Sequence, residues 1–295
     1  MNVLNIQNLT KKYGTITAVN NLSLTIQSGE IYGLLGPNGS GKTTTLGMIL
    51  GIIHPKNGNY EWFEGQYQEH DARKRIGTLL ETPNFYPYMN ALQNLEIVAL
   101  IKKAKNVPYD DLLKLVNLHH RKNSPFKTYS LGMKQRLAIA AALVGDPDVL
   151  IFDEPTNGLD PQGIAEVRET IRSIANQGKT IIMASHILDE VEKVCSHVAI
   201  IKNGNLLATG TVGSIISNDK QIDVAAENNK ALQNLLTTHP MVSKIKFDNQ
   251  ILTLSADESL TASEINRLCF ENNITLTHLI VKKKSLEAEF LEITS

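Results

Sequence analysis

The stretch Gly36-Pro37-Asn38-Gly39-Ser40-Gly41-Lys42-Thr43-Thr44 decides how this chain is read. It satisfies the pattern G-x-x-x-x-G-K-[ST], with Gly36, Gly41, Lys42 and Thr43 in the fixed places. The apolar run Ile31-Tyr32-Gly33-Leu34-Leu35 before it reads as a buried strand, and the mostly apolar segment Thr44 to Ile53 after it reads as a helix. A strand, a glycine loop and a helix start in that order form a phosphate cradle, because glycines let the backbone turn tightly enough for several N–H groups to face one point. The helix N-terminus adds its partial positive charge at the same place. In such a cradle Lys42 reaches the β- and γ-phosphates and the Thr43 hydroxyl holds Mg²⁺. The alternative, a glycine-rich turn with a solvated lysine, does not account for the strand and helix on either side. The stretch is expected to bind a nucleoside triphosphate.

At 295 residues the chain has room for one large α/β domain and a smaller one. Apolar residues make up 42%, enough to build packed cores and to exclude a disordered chain. A formal net charge of −1 argues against a protein that coats nucleic acid. Cys195 and Cys269 have neither metal-ligand spacing nor the arrangement of a disulfide framework, as suits a reducing cytosol. The opening Met1-Asn2-Val3-Leu4-Asn5 lacks the basic start and apolar centre of a signal peptide. No run approaches the ~18 consecutive apolar residues of a spanning helix, so work at a membrane would need spans from another chain.

Val3 to Leu9 and Asn21 to Ile26 alternate apolar and polar as half-buried antiparallel strands do, with Lys11-Lys12-Tyr13-Gly14 read as a turn between them. Asn59 to Phe63 and Ile76 to Leu80 read as further strands, the second ending abruptly at Glu81-Thr82-Pro83. From about residue 84 to 145 the pattern is helical, over Ala91 to Ala104, Tyr109 to Leu118 and Leu131 to Val144, as in an α-helical insertion. Buried strands return at Val149 to Phe152, Thr180 to Ala184 and His197 to Ile201, with a helix at Gly163 to Asn176 between the first two. This alternation implies a largely parallel sheet covered on both faces, in a domain spanning residues 1–218. From 221 to 295 the order β-α-β-β-α-β, closed by a helix from Ser285 to Ile293, is that of a small ferredoxin-like α+β domain. It holds no catalytic constellation and is expected to regulate or to contribute dimer contacts.

Val149-Leu150-Ile151-Phe152-Asp153-Glu154 ends a buried strand in two carboxylates. At the C-terminal edge of such a strand they lie beside the phosphate loop, where Asp153 acts on Mg²⁺ and Glu154 polarises the attacking water as general base. Tyr129-Ser130-Leu131-Gly132-Met133-Lys134-Gln135-Arg136 opens a long helix. Its first turn could bind a second phosphate group. On its own, Ser130 reads first as a plain N-cap.

Together these residues resemble an ATP-binding cassette ATPase, the motor subunit of a transporter. The family's phosphate loop is matched by Gly36 to Thr44 and its acidic strand by Val149 to Glu154. Its signature, usually L-S-G-G-Q, is matched by Tyr129 to Met133, its D-loop by Gly158-Leu159-Asp160, and its switch histidine by His186. Order and spacing match across residues 1 to about 215. The resemblance implies that Tyr13 stacks on adenine with Val19 packing nearby, although Tyr13 alone reads as a tyrosine covering a turn. It implies that His186 touches the γ-phosphate, and that Ser130 and Gly132 serve the nucleotide of a partner cassette, since two cassettes sandwich two ATP molecules.

Two departures stand out. Glu81 occupies the place of the family's glutamine, where its carboxylate can still reach Mg²⁺ or the attacking water, and Leu131 and Met133 replace a glycine and a glutamine of the signature. With Ile76 to Pro87 and Ser285 to Leu291, Glu81 resembles bacterial cassettes that export, or confer immunity to, peptide antibiotics of the bacitracin and lantibiotic type. The resemblance implies a separate transmembrane permease, a cassette dimer of like or related chains, and a cytoplasmic place on the inner face of the membrane. The rival function is a soluble cassette acting on ribosomes or nucleic acid, but there is one cassette here, no heptad run and no basic block. An inactive scaffold conflicts with Lys42, Asp153, Glu154 and His186 all being present.

Overall fold

The computed structural model describes residues 1–80, 82–216, 220–248, 251–257, 259–283 and 286–294. Glu81, Asn218, Asn249, Gln250 and Ser285, which carry parts of the expectations above, lie outside the described residues. The chain divides into two compact units, Met1–Val212 and Gly213–Ile293.

The first unit begins with a long hairpin, β1 (Asn2–Tyr13) and β2 (Ile16–Gln27), followed by β3 (Ile31–Leu35), α1 (Lys42–Ile49), β4 (Asn57–Trp62), α2 (Glu69–Lys74) and β5 (Ile76–Leu79). Lys11, Lys12 and Tyr13 are strand residues, not the expected turn, which is confined to Gly14 and Thr15. The alternation misled because the β1–β2 register shifts along its length, with Asn8 and Asn21 at positive φ (52° and 51°) where the strands kink. The helical insertion holds α3 (Ala91–Lys102), α4 (Tyr109–Leu115) and the start of α5 (Leu131–Leu143). Asn90 and Gln93 close a capping box at the start of α3. Asn94, 1% exposed, accepts from Tyr86 N and donates to the carbonyls of Tyr86, Met89 and Asn90, so one buried amide pins the loop to the helix.

The chain then alternates through β6 (Val149–Asp153), α6 (Pro161–Ala175), β7 (Thr180–Ser185), α7 (Leu188–Val194), β8 (His197–Lys202) and β9 (Asn205–Thr211). These complete a six-stranded sheet in the order β5-β6-β7-β3-β8-β9, parallel except for β9. A second, antiparallel sheet has the order β2-β1-β4. Helix α1 is buried on nearly every side, and its Leu46, Met48 and Ile49 join one apolar cluster with side chains of β1, β2, β3, β6, β7 and β8. Registration does the rest: Leu35 pairs with Ser185 and Asp153 with Ala184, so Gly36, Glu154 and His186 emerge side by side at the C-terminal edge of the sheet.

A short helix, α8 (Val212–Ile215), leads to β10 (Lys220–Ala226), α9 (Asn229–Thr237), β11 (Val242–Asp248), β12 (Ile251–Ala256), α10 (Ala262–Glu271), β13 (Leu276–Lys283) and α11 (Leu286–Thr294). Their sheet is antiparallel in the order β11-β12-β10-β13. Alternate residues such as Ile222, Val224, Leu252 and Leu254 turn to a core with Leu232 and Leu236 of α9 and Ile265 and Cys269 of α10. Cys195 and Cys269 are both free and buried, and burial pushes the Cys195 thiol far up, which keeps it inert.

Candidate nucleotide-binding site

Between β3 and α1 the backbone approaches its neighbours too closely for side chains. A Cβ on Gly36 would lie 2.2 Å from Ile201 O, and one on Gly41, at φ 108°, would lie 2.3 Å from Ala18 O. Glycine is therefore required at both places, and the space that a side chain would fill is left to the loop. Val19, fully buried, brings Cγ2 to 3.3 Å of the same Gly41 position, so the residue expected near the base packs on the phosphate loop. Ser40 is 2% exposed and its hydroxyl has no hydrogen-bond partner among the described residues. Thr44 follows Thr43 in the first turn of α1 and is half-exposed.

Lys42 is 5% exposed and folds back over the loop, its Nζ donating to Gly36 O (2.8 Å) and Pro37 O (3.3 Å). The same ammonium lies 3.3 Å from Glu154 Oε1. Glu154 Oε2 accepts from the His186 backbone N–H at 3.4 Å and lies 2.8 Å from His186 Nδ1. One carboxylate thus spans the phosphate-loop lysine and the histidine after β7. Its backbone has φ 49°, a left-handed conformation that a glutamate rarely adopts and that aims the side chain off the strand end. On the other side Thr43 Oγ1 donates to Asp153 Oδ2 at 2.7 Å, which joins the first turn of α1 to the end of β6.

A cleft of about 450 Å³ opens over these groups, lined by Thr43, Asp153, Glu154 and Asn157 with Leu131 and Gln135 of α5. Thr82 and Pro83, next to Glu81, line it as well. A larger cavity of about 840 Å³ against α4 holds none of the expected site residues and has no part in this chemistry. Thr43 and Asp153 offer hard oxygen donors at a helix start, the set that suits Mg²⁺. No cluster of three or more His, Cys, Asp or Glu side chains suited to a metal occurs among the described residues.

The start of α5 is of a different kind. Ser130 is exposed and caps the helix, accepting from Met133 N at 3.3 Å, and Gly132 has nothing closer than 3.6 Å to a built Cβ. Tyr13 lies at the end of β1, 48% exposed, with Lys11 Nζ 5.2 Å from its ring centre. Reading the residues did not reveal the Lys42–Glu154 contact and, while it quoted Gln135 and Arg136 after the signature, gave them no role; Arg136 ties the carbonyls of Val116 and Asn117 (both 2.9 Å) to Glu166 of α6 (2.9 Å), and Gln135 lines the cleft. Burial lowers the Arg136 pKa while Glu166 opposes that shift. The sequence signal for Gln135 and Arg136 is the polar run Lys134-Gln135-Arg136 in an otherwise apolar helix, of which Gln135 and Arg136 are buried.

A parallel sheet whose C-terminal edge carries a phosphate loop, an acidic strand end and a histidine defines a P-loop nucleoside triphosphatase. The ABC transporter family matches residues 19–157. The bacitracin transport ATP-binding protein BcrA of Enterococcus faecalis is 34% identical over 99% of this chain and 96% of its own. The lantibiotic transport ATP-binding protein SrtF of Streptococcus pyogenes is 40% identical over 70% of this chain and 89% of its own. Among solved structures, an ATP-binding cassette captured as a dimer in a post-hydrolysis state with ADP and Pi superposes with a TM-score of 0.61 at 27% identity, covering 70% of this chain and 98% of that one. The chain belongs to the ABC transporter family and is one of its ATP-binding subunits, an ATPase. Such subunits work with separate membrane components, and cassettes pair. No helix among the described residues is long and apolar enough to cross a membrane.

Proposed function

We propose that this chain is the motor of an exporter of, or of an immunity system against, a peptide antibiotic or similar amphiphile. It would bind MgATP in a cassette dimer and act on a separate transmembrane permease from the cytoplasmic face of the membrane. The observation that carries the proposal is similarity along nearly the whole length to a bacitracin transport subunit, second unit included. Division of the chain near 218–221, with the smaller part regulating or contributing dimer contacts, belongs to the same reading. In the site, Thr43 and Asp153, with Glu81 as a further oxygen donor, would hold Mg²⁺, which when bound would supply charge neutralisation at the phosphate oxygens. Lys42, preset by two carbonyls, swings its charge onto the β- and γ-phosphates. Glu154 Oε1 is thereby released from the ammonium and takes the proton of the attacking water. His186, bonded to the other carboxylate oxygen through Nδ1, steadies that base and faces the γ-phosphate. Pro37, Asn38, Gly39 and Ser40 shape the loop around the phosphates, and Ser130 and Gly132 complete the partner's site.

The test is copurification from gently solubilised membranes, followed by exposure of a deletion strain to bacitracin and to lantibiotics. A multi-span partner and increased sensitivity to one of these peptides are the expected results. Ribosomal proteins in place of a permease would favour the soluble-cassette function instead. Unchanged sensitivity with a permease present would keep the transporter and discard the antibiotic class.

A further inference from the structure

We infer that Gln135 is a positioning residue of the hydrolysis cleft, holding water against the acidic end of β6 and so tying this chain's own cleft to the helix start that carries Ser130. The inference rests on the reading of Asp153 and Glu154 as the acidic pair of the site.

Gln135 is 5% exposed, and its side chain lines the cleft with Thr43, Asp153, Glu154 and Asn157. Its amide makes no hydrogen bond within the described residues and is not among the fully enclosed unpartnered groups, so it keeps access to the cleft. A nine-tenths buried amide needs partners for its carbonyl and its two N–H donors. Among the described residues, the polar side chains that line the cleft with it are those of Thr43, Thr82, Asp153, Glu154 and Asn157, and the cleft is roomy enough for water. Being neutral, with both a donor and an acceptor, the amide suits water held beside carboxylates; direct capture of phosphate calls for a cation. The next residue, Arg136, supplies no charge here, because its guanidinium is engaged with Val116 O, Asn117 O and Glu166.

The link to the helix start follows from spacing. Leu131 lies one helical turn before Gln135 and lines the same cleft. Leu131 Cδ2 sits 3.4 Å from where a Cβ on Gly158 would be, in the loop that follows Glu154. The face of α5 toward the cleft thus shares it with the acidic strand end through Gln135 and Leu131, and Leu131 also lies close to Gly158 in the loop beyond. Ser130, the N-cap of the same helix, immediately precedes Leu131, so the cleft and the helix start are carried by one turn of α5.

The experiment uses the full chain, measuring ATP affinity, kcat, KM, thermal midpoint and the pH dependence of kcat. Gln135→Met preserves length and removes the amide. It is expected to lower kcat about tenfold, the loss of one hydrogen bond in the transition state, with ATP affinity and thermal midpoint unchanged. Gln135→Glu still holds water but brings a third carboxylate beside Asp153 and Glu154, and should move the acidic limb of the kcat profile to higher pH. Wild-type kcat in Gln135→Met overturns the inference, as does an acidic limb left in place by Gln135→Glu; the second test stands even if the methionine variant does not fold. Glu154→Gln is assayed alongside. Full hydrolysis in that variant would remove the reading of the site itself, whereas its inactivity beside a fully active Gln135→Met would remove only the role of Gln135.

Discussion

The phosphate loop and the start of α5 both present backbone N–H groups at a helix beginning, and they are built to opposite specifications. In the loop, side chains at Gly36 and Gly41 would strike backbone oxygens at 2.2 and 2.3 Å, and Lys42 is 5% exposed with two carbonyl partners. At the start of α5, Ser130 is exposed, Leu131 is 44% exposed, and the nearest atom to a Cβ on Gly132 is 3.6 Å away. One is closed by its own chain, and the other faces outward. That difference fits the proposed cassette pair, in which each chain would carry a finished half-site and an open one.

The largest expected effect is at the finished half. Glu154→Gln keeps shape but cannot take up a proton, and loss of a general base lowers kcat by about 10²–10⁴-fold. The substitution also removes the negative charge facing Lys42 at 3.3 Å, so ATP binding should persist and the ATP-bound pair should accumulate on size-exclusion chromatography. Hydrolysis within a few-fold of wild type would move the base elsewhere, with Glu81 as the next residue to vary. Next in size is Lys42→Ala, which deletes charge-assisted phosphate contacts worth about 1.5–3 kcal/mol, or roughly 10- to 150-fold in ATP affinity by titration. Its counterpart at the open half is Ser130→Arg in the Glu154→Gln background. That variant should elute as a monomer while still binding ATP; equal loss from both halves would erase the distinction between them.

The two glycines sharpen the contrast further. Gly41→Ala combines φ 108° with a contact at 2.3 Å, and should cost about 1–3 kcal/mol in chemical unfolding together with nucleotide binding. Gly132→Ala has ordinary helical geometry and would make only ordinary van der Waals contacts, the nearest at 3.6 Å, so it should leave stability unchanged or raise it by up to about 1 kcal/mol. A destabilised Gly132→Ala would mean that the start of α5 is as tightly built as the phosphate loop.

What could be read from residues alone follows the same line between closed and open. The phosphate strand, its loop and β6 are signalled by contiguous apolar runs ending in glycine or acid, because both faces of a central parallel strand are buried. Edge and short elements were missed: α7 has seven residues, and β9 alternates between exposed and half-buried along its length. Asn203-Gly204, both at positive φ, does mark the β8–β9 hairpin and was the available signal. The Asp153 and Glu154 positions were legible as a strand end. The ion pair from Glu154 to Lys42 was not, since it joins residues 112 apart in the chain through the registration of β3, β7 and β6. Gln135 escaped for a related reason, as helical periodicity says which residues are buried and not which cleft they face.

The smallest expected effect concerns Tyr13, where the finished half-site is least enclosed. Its ring is 48% exposed at the tip of the β1–β2 hairpin, with Lys11 Nζ 5.2 Å from the ring centre. The hairpin carries Val19, packed on Gly41, so the ring is borne by the element that backs the phosphate loop. Base stacking on an aromatic contributes about 1–3 kcal/mol, and an exposed ring already shared with an ammonium belongs at the low end of that range. Tyr13→Ala should therefore weaken ATP binding about tenfold, with Tyr13→Phe near wild type because the hydroxyl takes no part in stacking. The same substitution should reduce affinity for inorganic triphosphate little or not at all, since that ligand has no base to lose. Equal ATP affinity in Tyr13→Ala and wild type would remove the ring from the site and leave recognition to the phosphate loop alone. A matching loss for triphosphate would instead show that the hairpin acts by holding Gly41.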